Sequence, residues 1–265
     1  MIRLGQIKTV PVKGDLRANH ARLMALLRDL DAEALDVIIT PECFLDGYVV
    51  TEEYVTAENI AAYGLDAVSS DLIAEVADWS ALTGTWVVLG CTTVDADGAR
   101  NTALILDRDG QIVGQYHKVH CQTHDMKFVA GDRLPVFDSD FGRFGVMICA
   151  DRRWPETVRT LALQGARIIF NPTYGMCGEK NLCMMRTRSY ESEVFIAFTH
   201  PAQSLVTGPR GDIVCDNRSQ YDAFTIVQVD LSEVDEVRRG ASAHLRDRRP
   251  DVYAGLLETD ADRRR

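Results

Sequence analysis

FGVMICADRRWPETVRTLALQGARIIFNP, residues 144–172, reads as a strand, a turn, a helix and a second strand in close succession. Phe144 to Ala150 is a nearly continuous apolar run, of the kind covered on both faces in a parallel sheet. Pro155 and Glu156 then suit the first turn of a helix. Proline presets φ where the N–H has no helical partner, and a carboxylate favours the positive end of the helix dipole. Gly165 marks the end of the helix, and RIIFNPT resumes the extended pattern. A strand–helix–strand unit needs a parallel pair, so the segment predicts a layered α/β fold. Cys149 falls where strand gives way to turn, which is the context of a nucleophile elbow.

The same alternation extends in both directions. Ile2–Val10 reads as a strand, followed by a helix with Leu23, Leu26, Leu27 and Leu30 on one face. DVIIT (Asp36–Thr40) is a second buried run, and a helix is predicted from Ser69 to Leu82, stopping at Gly84. Thr85–Val94 is a strand with a hairpin signal at Asp97-Gly98, and Thr102–Lys118 is a second hairpin turning at Asp109-Gly110. A helix over Asn181–Ser192, the strand VFIAFTH, and strands at Asp212–Cys215 and Phe224–Val229 complete the pattern. No internal repeat, low-complexity stretch or linker interrupts it. The expectation is one domain over residues 1–240 and a charge-rich tail, 241–265, serving as an arm or an oligomer contact.

Composition bounds the partners. The 265 residues carry 29 Lys+Arg against 39 Asp+Glu, a net charge of −10, and 46% are hydrophobic. Such a chain buries enough surface to need no disulfide or metal staple, and its acidity argues against a general nucleic-acid binder. The seven cysteines are odd in number and dispersed, which points to free thiols in a reducing compartment. The N-terminus shows no signal-peptide apolar core, and no apolar run reaches the ~18–20 residues of a membrane span. A cytoplasmic protein without membrane or nucleic-acid partners is expected.

Three segments at strand ends carry candidate chemistry: Glu42 in TPECFLDGY, Lys118 in YHKVH, and Cys149 in GVMICADRRWPE. Singly, each has an ordinary reading: a loop glutamate, a solvated strand lysine, a buried inert thiol. Together, in this order and these surroundings, they resemble the nitrilase superfamily of carbon–nitrogen hydrolases. The likeness spans nearly the whole chain, taking in QGARIIFNP, RTRSYESEVFIAFTH, RGDIV and RRPDVY. It implies a four-layer α-β-β-α sandwich, a homodimer or larger homo-oligomer, and no cofactor or metal. It also implies Glu42 as base, Cys149 as nucleophile, and Lys118 with the Ala150 N–H as the oxyanion stabilisers. The chemistry is consistent with that assignment: thiolate attack on an amide creates an oxyanion and then a thioester, and a carboxylate can serve as the base without a histidine. The expected neighbouring helix N-terminus and ammonium would lower the thiol pKa.

The departures bear on substrate. Many family members carry a second glutamate downstream of the lysine; in HCQTHDMKFVAGD the aligned residue is His124, with Asp125 next to it. Either one takes that role, or the role is absent. Ala150-Asp151 stands where nitrilases proper have Trp-Glu, which favours amides or ureido compounds over nitriles. CADRRWPE resembles N-carbamoyl-D-amino-acid amidohydrolases, implying that Arg152 and Arg153 grip a substrate carboxylate. The competing expectation is structural pairing with Asp151 or Glu156. The short loop after Lys118 instead resembles aliphatic amidases and formamidases. Expected, then, is hydrolysis of a small linear amide or N-carbamoyl compound, with ammonia or an amine released. The alternatives are nitrile hydrolysis, a catalytically silent module on the same fold, and a metal site built from His117, His120, Cys121 and His124 with Cys177 and Cys183.

Overall fold

A computed structural model describes residues 1–257, so 258–265 of the expected tail lie outside the described residues. The first half of the chain runs β1 (Ile2–Ile7), α1 (Leu16–Asp29), β2 (Val37–Ile39), α2 (Asp71–Thr83), β3 (Trp86–Asp95), β4 (Gly98–Leu106) and β5 (Ile112–His117). After β6 (Val136–Ser139), the second half repeats that order. It runs β7 (Gly142–Val146), α3 (Pro155–Leu163), β8 (Ile168–Pro172), α4 (Glu179–Ser192), β9 (Phe195–His200), β10 (Gln203–Thr207) and β11 (Ile213–Asn217). β12 (Phe224–Val229) and α5 (Ser232–Arg239) follow.

The strands form two six-stranded sheets, ordered β12-β1-β2-β3-β4-β5 and β11-β10-β9-β8-β7-β6. Each has a parallel centre, β1–β2–β3 or β7–β8–β9, with antiparallel strands outside it. Ile39, Val88, Phe144, Phe170 and Ala197 fill the space between the sheets. Leu23 and Leu27 of α1 and Val76 and Trp79 of α2 cover the outer face of one sheet; Val158 and Leu161 of α3 and Met185 of α4 cover the other. The result is the four-layer α-β-β-α sandwich that the resemblance implied. Gln6 of β1, fully buried, crosses between the sheets and donates to the Phe198 carbonyl at 2.8 Å and Thr199 Oγ1 at 2.9 Å in β9.

Local signals set the helix ends. Asp15 caps α1 by accepting from the Ala18 N–H at 3.0 Å, and Gly84 ends α2 in the left-handed region with φ +64°. Three elements were not expected: β6, β10 and α5. β10 begins Gln203-Ser204, polar residues that read as loop, yet both are buried, and Gln203 donates to Asp216 at 2.7 Å. The strand expected to reach Ala150 ends at Val146. The Ile148 N–H goes to Asp151 Oδ2 at 2.9 Å and the Met147 carbonyl accepts from Asn171 at 3.1 Å, which draws the chain out of the ladder.

Candidate active site

Glu42 leaves the C-terminal end of β2, where parallel α/β sheets hold working groups. It is fully buried. Oε1 accepts from Lys118 Nζ at 2.6 Å and Asn101 Nδ2 at 2.8 Å, and Oε2 accepts from the Tyr174 N–H at 2.9 Å. The loop behind it is tightly wound. Cys43 and Tyr48 adopt φ of +45° and +53°, and a Cβ on Gly47 would meet the Val12 carbonyl oxygen at 2.2 Å. Asp46 in the same loop accepts from the Thr92 N–H at 2.9 Å, and burial lifts its carboxyl to about 7.

Lys118 follows β5 and is 1% exposed. Its ammonium lies between Glu42 Oε1 and Asp125 Oδ2, the latter at 2.5 Å. Asp125 belongs to a 3-10 turn, Thr123–Lys127, and also accepts from Tyr48 Oη at 2.8 Å. Burial works to lower the lysine pKa, but Glu42, the Cys149 thiolate and Asp125 outweigh it and hold the ammonium well above its ordinary value. Burial and the neighbouring Glu42 raise the Asp125 carboxyl.

Cys149 opens a 3-10 turn, Cys149–Arg153, at φ +45°, a conformation uncommon for a side chain other than glycine. Asp151 braces the turn: besides the Ile148 N–H, its carboxylate accepts from the His120 N–H at 3.0 Å and Tyr116 Oη at 2.6 Å. Gly175 leaves room for the sulfur, since a Cβ there would lie 3.3 Å from Sγ. The Ala150 N–H is in the first turn, where no intrahelical acceptor can reach it. The expected lowering of the thiol pKa does not hold in the resting site. Burial raises it first and Glu42 second, against the opposing pull of Lys118 and Arg152. The α3 N-terminus is also separated from the sulfur by the 3-10 turn.

Glu42, Lys118, Asp125, Cys149 and Arg152 thus meet, whereas His124 and Arg153 do not. His124 is exposed on the outer side of its turn, and Arg153 is exposed and donates to Gln122 Oε1 at 2.8 Å. Neither arginine pairs with Asp151 or Glu156. Arg152 points inward and donates to Asn181 Oδ1 at 2.7 Å and the Met176 carbonyl at 2.6 Å. The histidine–cysteine cluster is dispersed. His117 Nδ1 lies 2.9 Å from Thr102 Oγ1, and His120 stacks on Trp154 at 4.0 Å and contacts Asp151. Among the described residues no group of three metal-ligating side chains assembles. Asn101, Tyr174, Gly175 and Asn181 were missed. None carries a sequence signal distinct from an ordinary strand or loop residue, although Tyr48 stood within the quoted TPECFLDGY motif.

The carbon–nitrogen hydrolase profile matches residues 1–239. The chain belongs to the carbon–nitrogen hydrolase family. As such it is a thiol-dependent amidohydrolase, acting on C–N bonds. This hydrolase is 26% identical to N-carbamoylputrescine amidase of Arabidopsis thaliana, over 94% of this chain and 93% of the relative. It is 24% identical to an omega-amidase of Homo sapiens, over 96% of each. A solved carbon–nitrogen hydrolase from Helicobacter pylori superposes with a TM-score of 0.84 at 21% identity, covering 97% of this hydrolase and 98% of that chain. Among the described residues no helix is long and apolar enough to cross a membrane.

Proposed function

We propose that this hydrolase cleaves a small linear amide or N-carbamoyl compound through a thioester on Cys149, releasing ammonia or a small amine. Glu42 takes the Cys149 proton, the thiolate adds to the carbonyl carbon, and the oxyanion is held by Lys118 Nζ and the Ala150 N–H. As the intermediate collapses, the C–N bond breaks and Glu42 returns the proton to the leaving nitrogen. Glu42 then takes a proton from water, whose oxygen attacks the thioester, and the thiol is restored. Asp125 fills the role of a second carboxylate by holding Lys118 toward Glu42.

The observation that carries this reading is the convergence of Glu42, Lys118 and Cys149 from three strand ends on one buried site, with Lys118 Nζ 2.6 Å from Glu42. Cys149 is only 7% exposed and Glu42 0%, which supports a small substrate. The kinship to amidases, and Ala150-Asp151 in place of Trp-Glu, support amide or ureido substrates over nitriles. The test is ammonia release across small amides, ureido acids and nitriles, comparing wild type with Cys149→Ala. Turnover confined to wild type, with an acyl adduct on Cys149 seen by mass spectrometry, is expected. Turnover retained by Cys149→Ala removes the proposal.

A further inference from the structure

Among the described residues, Arg152 is the largest side chain the fold encloses completely, at 1% exposure. Its Nε and Nη2 are occupied by Asn181 and the Met176 carbonyl, and Nη1 donates to the Cys149 carbonyl. Nη1 also lies 3.5 Å from Cys149 Sγ, and the guanidinium stands 5.3 Å from the centre of the Phe198 ring. Among the described residues no carboxylate contacts it. A buried cation surrounded only by neutral groups is costly to desolvate and gains most from an anion forming beside it.

The nearest group able to supply that anion is the Cys149 sulfur. In the proposed reaction the negative charge of the pair starts on Glu42, next to Lys118. Moving the Sγ proton to Glu42 leaves the net charge unchanged. It neutralises a partner of Lys118 and creates an anion at Sγ, which calls for a cation besides Lys118, itself bonded to Glu42 and Asp125. We propose that Arg152 is that cation: the counter-ion of the Cys149 thiolate, rather than a clamp for a substrate carboxylate. This rests on Cys149 being the nucleophile. A bidentate clamp needs two parallel N–H groups free to point at substrate, and the fork of Arg152 is already divided among Cys149, Asn181 and Met176. The other charged groups facing the thiol are Glu42 from the loop after β2 and Lys118 after β5, with Asp125 of the 3-10 turn bonded to Lys118. Tyr48, Tyr174 and His200 lie around them, and Asp151 is turned away toward Tyr116 and His120.

The test is the pH dependence of Cys149 alkylation by iodoacetamide, followed site by site by mass spectrometry so that the exposed Cys177 and Cys183 are scored separately. Wild type, Arg152→Leu, Arg152→Lys and Asn181→Ala are compared, the last keeping the charge while removing its Nε acceptor. The alkylation midpoint should rise by about one pH unit or more in Arg152→Leu, and by less in Arg152→Lys and Asn181→Ala. On a neutral amide, kcat should fall by about tenfold or more in Arg152→Leu, with KM nearly unchanged. If Arg152→Leu fails to fold, a rise in both remaining variants supports the proposal and superimposable profiles overturn it. Unchanged alkylation profiles, or a rise in KM confined to carboxylate-bearing substrates, would likewise overturn it. Alkylation of Cys149 with no loss of turnover would instead sink the nucleophile reading, whatever the Arg152 variants do.

Discussion

At the residue scale the site is a problem of buried charge. Lys118 is held between two carboxylates, at 2.6 Å from Glu42 and 2.5 Å from Asp125, and this fixes where its remaining donor can point. Asp125→Asn should therefore lower kcat by about 10²-fold, a loss comparable to removing an oxyanion donor, with KM little changed. His124→Ala, altering an exposed neighbour, should stay within about twofold of wild type. Steady-state kinetics on a shared amide decide this, and equal losses would undo the assignment to Asp125. The sequence left the second carboxylate's role to Asp125, to His124 or to neither, and could go no further. In the 3-10 turn neighbouring residues face different directions, and only the fold shows which one faces Lys118. The remaining thiols also separate: burial raises Cys43 and Cys91, and pushes Cys121 up to about 12.

At the element scale, two short segments do what no single side chain can. The turn after β7 was legible as an elbow, but its brace was not: Asp151 was considered as an arginine partner, and it serves the Ile148 and His120 N–H groups instead. The loop after β2 stores a different cost, in Asp46, whose carboxyl is raised by burial from 3.8 to about 7 and whose Oδ2 meets no hydrogen-bond partner among the described residues. An acid with a higher pKa in the folded state binds its proton more tightly there. Its contribution to stability is therefore present at low pH and is lost as pH rises from about 4 toward 7. Asp46→Asn keeps an acceptor for Thr92 and removes the titration. Relative to wild type it should gain about 2–3 kcal/mol of stability between pH 5 and pH 8, measured by urea denaturation at both values. Parallel pH dependence in the two proteins would contradict the burial account.

At the scale of the whole molecule, the strength of the sandwich lies between its sheets. Phe144, fully buried, meets Phe170 at 5.2 Å, Phe137 at 5.5 Å and Trp86 at 5.9 Å between ring centres. Phe144→Ala should cost about 3–5 kcal/mol by chemical denaturation, because the void cannot collapse between two rigid sheets. A loss under about 1 kcal/mol would mean that the layer repacks. The repeated order of the two halves was invisible in the sequence, which shows no internal repeat, since the halves share topology rather than residues. What the sequence determined by itself is whatever local patterning encodes: the alternation of strands and helices, the caps at Asp15 and Gly84, the elbow before Pro155, and the types and order of Glu42, Lys118 and Cys149. The tertiary structure alone decided that Asp125 and not His124 meets Lys118, the inward path of Arg152, and the N–H of Tyr174 on Glu42 across 132 residues of chain. The reason is physical. Periodicity and capping act over one or two turns of chain, whereas burial, ion pairing and proton transfer depend on distances that exist only after the two sheets have closed on each other.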